Sequence, residues 1–434
     1  MLNQFTVSLW GDEGFSAILS MKSIPEIIRI ISHDTSPPLY NITEHLAFQF
    51  FGTSELVIRG LSFFYYLVTI FFVYKIAALL WSRKTGIYAA ALTFLNPFFF
   101  IYAFEGRMYS IMAMGVAASM YFFLKRKLVG YVVATLIALY SHHFAIFAIF
   151  VQGAWFVKEF LFGNKVTAKR MLKGFIIVGL LYLPWIIPLY NQTKMVGGGF
   201  WLGRPDLMDL RNLIYDYLAE GIKSRLAESA LYIVFVLLLI RDWFKNIEKT
   251  IFMLFWFLVP ILATWFISQK FQSIFYNRYL LYTIPAAMIT LASNKRVPAS
   301  NIIIGLLLLM FAVTDYGYFN NPTKLPFREF ASYVQQNEQP GDYLINWNSS
   351  SHHLWESKYY GIPAPIYIPN DNQLPFFVGT ALMQPSDIVR GLPENANRIG
   401  VITSGPIDEI VLPNYTETDS ESFSDLKIVW YQKN

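Results

Sequence analysis

The chain has 434 residues, of which 55% are apolar, 18% aromatic and only 15% charged, with a mean hydropathy of +0.40; a set of two or three soluble domains does not have that composition. The absence of cysteine excludes a disulfide scaffold, a thiolate metal site and a cysteine nucleophile. A formal net charge of +5 would suit a nucleic-acid binder if the basic residues shared one folded face, but they lie between hydrophobic segments.

In chain order, MLNQFTVSLW runs, with neither a signal peptide nor a span, into the acidic pair Asp12-Glu13. The segment HDTSPPLY (33–40) follows. Ten apolar runs then read as membrane-spanning helices: 60–81, 86–103, 108–124, 128–141, 143–157, 174–190, 227–240, 250–267, 279–293 and 301–314. Only Lys75 and Glu228 are charged within these runs, each near an end. Alternate connections hold 15 Lys and Arg in 39 residues, against 8 in 52 for the others. The basic set is therefore cytoplasmic, and the positive charge reports topology, so no nucleic-acid partner is expected.

It follows that residues 1–59 and the tail from 315 lie on the outer face. The expected organisation is an outer N-terminal loop over 1–59, a transmembrane bundle over 60–314 and a soluble α/β domain over 315–434. In the tail, PFREFASYVQQ (326–336) and HHLWESKYYG (352–361) read as helices, with His352 and His353 as surface or packing residues. DYLINW (342–347), PIYI (365–368), RIGVITS (398–404) and LKIVWY (426–431) read as strands. Neither GxGxxG nor GxxxxGK[ST] occurs.

The polar groups hardest to assign to loop solvation all fall on the outer side. They are Asp12, Glu13 and Asp34, then Glu105, Arg107 and Tyr109 in FEGRMYS (104–110), His142 and His143 in LYSHHF (139–144), and Arg278 with Tyr279 in FYNRYLLYTIP (275–285). A carboxylate there can take a proton from a hydroxyl, and arginines at the same depth suit a phosphate, because guanidinium stays charged and offers a planar fork of donors. Together they describe group transfer from a membrane-borne phosphoester. Each residue also has a plainer reading. The acidic pair can be a helix-start pair, the histidines structural turn residues, and the arginines interfacial anchors.

At LWGDEGFS (9–16), DTSPPLY (34–40), SELVIRG (54–60), NPFFFIYAFEGRMYS (96–110), LYSHHF, LPWIIPLYNQ (183–192) and NRYLLYTIP (277–285), the sequence resembles the integral-membrane glycosyltransferases of the C superfamily. The nearer branch holds the bacterial protein mannosyltransferase-like enzymes and the lipid A aminoarabinose transferase. The resemblance runs from about Leu9 to Pro285. It implies a polytopic α-helical protein acting as an inverting hexosyl- or pentosyltransferase. The donor it implies is a polyprenyl-phosphate-linked sugar, used at the extracytoplasmic face of the cell membrane, and the acceptor is a protein, lipid or glycan. By that resemblance Asp12 is the catalytic base, with Glu13 assisting acceptor placement. Asp34 and His142 lie in the acceptor or metal vicinity, and Arg107, Arg278, Tyr109 and Tyr279 are candidates for the donor phosphate.

Family members differ in whether a divalent metal sits near the site, so the metal stays open. The family's first helix is missing ahead of the acidic pair, which suggests that the chain begins late. Ser36 stands where some relatives carry a phosphate-directed Lys before Pro-Pro. Two other readings remain: a lipid-linked glycan ligase or polymerase, and a non-catalytic transporter or binding subunit for lipid-linked sugars.

Overall fold

Several helices start where the sequence supplies a side-chain cap, as at Ser82, Asn96, Asn164 and Asp206. In the computed structural model, which describes residues 2–220, 247–293, 298–349, 352–369 and 373–434, the first helices are α1 (Gly11–Ser20), α2 (Ile24–Ile31), α3 (Leu39–Phe51), α4 (Glu55–Leu80), α5 (Arg83–Phe94) and α6 (Pro97–Ile101). They are followed by α7 (Tyr109–Leu124), α8 (Leu128–Ser141), α9 (Ile146–Phe162), α10 (Lys165–Tyr182), α11 (Ile186–Gly197) and α12 (Leu207–Ala219). Next come α13 (Ile247–Ser268), α14 (Asn277–Leu280), α15 (Ile284–Ala292), α16 (Pro298–Asn320), α17 (Phe327–Asn337) and α18 (Leu354–Tyr359). The strands are β1 (Tyr343–Trp347), β2 (Ile366–Tyr367), β3 (Ile388–Val389), β4 (Arg398–Thr403), β5 (Tyr415–Phe423) and β6 (Leu426–Lys433).

Among the described residues, five helical stretches are long and apolar enough to cross a bilayer: Glu55–Leu80, His143–Phe162, Lys165–Gly197, Ile247–Ser268 and Asn301–Asn320. A sixth is added if the bent pair Arg83–Phe94 and Pro97–Phe104 counts as one span, while Tyr109–Leu124 and Leu128–Ser141 are apolar but shorter. The run expected as one helix over 86–103 is broken by a 61° bend. Pro97 lacks an N–H and crowds the residue before it. Asn96 is accordingly extended and caps α6, its side chain accepting the Phe99 N–H at 3.0 Å and donating to the Tyr217 carbonyl at 2.8 Å. The run 279–293 likewise divides, into α14, a 3-10 turn over Leu281–Thr283 and α15. The expected span 227–240, with Glu228, lies outside the described residues.

The expectation of nearly charge-free spans needs correction, because the helices run past the apolar windows. Arg59 in α4 is fully buried, and Asp315 in α16 is 4% exposed. The bundle also carries neutral polar contacts. Ser119 shares a hydrogen bond of 2.8 Å with Thr135 and accepts the Gln152 amide at 2.8 Å, while Tyr131 donates to Gln152 at 3.0 Å. In α7, Gly115 lets α8 approach so closely that a Cβ would stand 2.7 Å from the Ala138 nitrogen, the small-residue packing typical of membrane helices.

The described chain divides into two compact units: Met1–Ile30, Asn41–Ile58 and Asn321–Asn434 in one, Ile31–Tyr40 and Arg59–Asn320 in the other. The first contains a six-stranded sheet of order β3-β2-β1-β4-β6-β5. The four strands β3 to β4 are parallel, and β6 and β5 add an antiparallel hairpin. Alternation along the strands sends Leu344, Ile402 and Ile428 to a core with Phe327, Phe330 and Val334 of α17, and sends Ile345, Val401 and Val429 to a core on the opposite face. The expected strands and helices of the tail are all present. Two strands lie outside the expectation, β3 and β5, the latter almost wholly exposed with the sequence YTETDSESF.

Candidate active site

In the first unit, the acidic pair opens α1. Trp10 precedes it in extended conformation and offers no side-chain cap, so Asp12 and Glu13 in the first turn complement the helix dipole. Asp12 is half-buried, whereas Glu13 is fully buried and its carboxylate accepts from Lys324 Nζ at 2.9 Å. The approach to the motif is also held from the C-terminal part of the chain. Tyr360 accepts the Leu9 N–H at 2.9 Å and donates to Glu55 at 2.8 Å, and Arg328 pairs with the same Glu55 oxygen at 2.5 Å. Gly14 admits the backbone of α18, since a Cβ there would lie 3.0 Å from the Trp355 carbonyl carbon. The Glu356 carboxylate stands 3.6 Å from the equivalent position on Gly11. His352 and His353 are buried, which corrects the surface reading and leaves the packing one.

In the second unit, the starts of α7 and α14 and the turn after α8 bring the cationic and aromatic candidates together. The Arg278 guanidinium lies 5.0 Å from the ring centre of Tyr276, 5.6 Å from Tyr109 and 5.9 Å from Tyr279, within cation–π range. The His142 ring is 5.1 Å from Tyr279 and 6.2 Å from Tyr109. Burial first, then the charges of His143, Arg107 and Arg278, hold its imidazole well below the ordinary histidine range. His142 Nδ1 accepts the Phe144 N–H at 3.2 Å, so in the neutral ring the proton resides on Nε2. The Arg107 N–H bonds the Glu105 carbonyl at 2.7 Å, a tight turn that places Arg107 at the head of α7.

Asp34 belongs to the same unit and is buried. Its loop is anchored by Gln192, whose amide donates to the Ile31 carbonyl at 2.8 Å and the Ser36 carbonyl at 3.2 Å. The Gln192 oxygen accepts from His143 Nε2 at 2.7 Å, leaving Nδ1 to face the Tyr182 hydroxyl at 3.4 Å. One amide thus ties the Asp34 loop to the residue next to His142. Gln192 stands inside LPWIIPLYNQ, yet nothing in that motif names the backbone it meets. Lys324, Glu356 and Tyr360 are farther still from any sequence signal, more than 300 residues from the motif they support.

Asp12 and Glu13 therefore belong to one compact unit, and Asp34, Arg107, Tyr109, His142, Arg278 and Tyr279 to the other. Among the described residues no group of three or more His, Asp and Glu side chains could hold a metal ion.

Solved structures provide the comparison. ArnT from Cupriavidus metallidurans in the apo state aligns over 98% of this chain and 94% of its own, with a TM-score of 0.67 at 12% identity. The same protein bound to undecaprenyl phosphate aligns over 99% and 95%, with a TM-score of 0.63 at 12% identity. The chain shares the fold of ArnT. The apo oligosaccharyltransferase of Archaeoglobus fulgidus shares it more distantly, over 79% of this chain and 56% of that one, with a TM-score of 0.51 at 12% identity. No family model and no curated protein matches the sequence. Twelve per cent identity carries the architecture alone; the chemistry resides in the site residues.

Proposed function

We propose that this protein is an integral-membrane glycosyltransferase that moves a sugar from a polyprenyl-phosphate donor to an acceptor hydroxyl on the extracytoplasmic side. The observation that carries the reading is the Arg278 cluster. A guanidinium ringed by Tyr109, Tyr276 and Tyr279 beside a buried neutral histidine offers charge, a planar fork and hydroxyl donors to one phosphate. The fold shared with a protein that has been seen with undecaprenyl phosphate supports it.

In the proposed step the acceptor hydroxyl gives its proton to Asp12 as its oxygen attacks the anomeric carbon. The bond from that carbon to the phosphate oxygen breaks, and its electron pair leaves with the polyprenyl phosphate. A single in-line displacement inverts the anomeric centre. Arg278 and Arg107 stabilise the phosphate dianion as it forms, and the rest of the catalysis is positioning. Glu13, locked to Lys324, orients the turn that carries Asp12, and Asp34 lies toward the acceptor with His142. The reading sets the active site at the extracytoplasmic face of the cell membrane, and the distribution of basic loops supports it.

Asp12→Asn tests it. With purified protein and a glycosylated polyprenyl phosphate, turnover falls by about 10³-fold or more while donor binding is retained; substantial residual transfer removes Asp12 from its role. Arg278→Ala has the opposite signature, weakening donor binding itself.

A further inference from the structure

A cavity of about 360 Å³ adjoins the Arg278 cluster within the second unit, lined by Arg204, Asp209, Asn212, Asp216, Tyr276 and Asn277 among others. Its volume lies at the lower end of small-molecule sites. Of the six, only Tyr276 also belongs to the Arg278 cluster: it walls the cavity and its ring stands 5.0 Å from the Arg278 guanidinium. Asn277 links the two, because its side-chain oxygen accepts the Arg278 N–H at 2.8 Å while it also hydrogen-bonds the Asp216 carboxylate.

The walls are held in place before any ligand arrives. Asp209 closes a capping box with Asp206, two bonds of 2.8 Å that start α12. Arg204 donates from Nε to Gln269 at 2.9 Å, Gln269 donates to the Pro205 carbonyl at 2.7 Å, and Trp265 donates to the Asp206 carbonyl at 2.8 Å. Burial raises the Asp216 carboxyl above the ordinary range. Carboxylates, amides and one guanidinium set around an aromatic ring match a polyol, whose hydroxyls need fixed donors and acceptors and whose C–H face packs on a ring. An alkyl chain would bury the remaining donors and acceptors of these groups without pairing them, at a cost of about 1–3 kcal/mol for each one desolvated.

We propose that this cavity receives the glycosyl group of the lipid-linked donor, with Asp216 and Asn212 reading its hydroxyls while the adjoining phosphate sits at Arg278. The assignment rests on the donor reading above. Binding is measured with bare undecaprenyl phosphate and with a panel carrying a hexose, an N-acetylhexosamine, a pentose or an aminopentose. At least one glycosylated lipid binds the unaltered protein about tenfold more tightly than the bare phosphate. Asn212→Ala, at an exposed position that does not threaten folding, and Asp216→Ala each erase most of that advantage and leave bare-phosphate affinity unchanged. A panel with no sugar-dependent gain, a gain that survives both substitutions, or an equal loss for the bare phosphate overturns the proposal. If the unaltered protein fails to bind undecaprenyl phosphate at all, the donor reading falls first and the cavity assignment with it.

Discussion

At the scale of single residues, the buried Glu13–Lys324 pair is the clearest instance of a group with two available roles. A fully buried carboxylate without its ammonium partner is costly, so Glu13→Ala lowers stability by about 3–5 kcal/mol, read as thermal unfolding in detergent. The paired change Glu13→Gln with Lys324→Met recovers part of the loss if the role is structural. His352 makes a pH prediction. Burial, and then His353, push its imidazole down to about 4, below the value of an unfolded histidine. The unfolded chain therefore binds more protons between about pH 6.5 and 4, and stability falls as pH drops through that window, by about 2 kcal/mol at pH 5 for this group. His352→Asn flattens that part of the stability profile. The acidic motif itself was legible, since an Asp-Glu pair in a first helical turn is a local pattern. Its partner was not, because the lysine that neutralises Glu13 lies 311 residues away.

At the scale of elements, local chemistry explains where helices stop, and close approaches explain which glycines matter. Gly14→Ala and Gly115→Ala each set a methyl group against a neighbouring backbone that cannot turn aside, at 3.0 Å from the Trp355 carbon and 2.7 Å from the Ala138 nitrogen. Each costs about 1–3 kcal/mol, visible as a lowered unfolding midpoint. Gln192→Leu removes both donors that hold the Asp34 loop; transfer falls by about tenfold or more while affinity for bare polyprenyl phosphate changes little. The tail elements with alternating apolar residues were readable from sequence. β5 was not, because all but its two end residues are exposed, and it exists by pairing with β6 across a bulge at Glu417–Asp419. The break at Asn96–Pro97 was available in the sequence as an X-Pro step, but a continuous apolar run masked it.

At the scale of the whole molecule, the chain contains no cysteine, so single introduced cysteines report topology without background. A cysteine at Ser420, exposed on β5, is expected to react with an impermeant maleimide in intact cells. One at Arg126, in a basic connection, is expected to react only after permeabilisation; the reverse pattern overturns the outward-facing site. What the sequence by itself determined was the membrane character, the acidic motif and most of the sheet, because hydropathy and side-chain alternation are local or summed properties. Only the tertiary structure decided that Lys324, Arg328 and Tyr360 secure the motif near residue 12, that three tyrosines surround Arg278, and that a polar cavity opens beside them. Those pairings join residues far apart in the chain, and contact at such separations depends on how the helices and sheet pack, which no local pattern encodes.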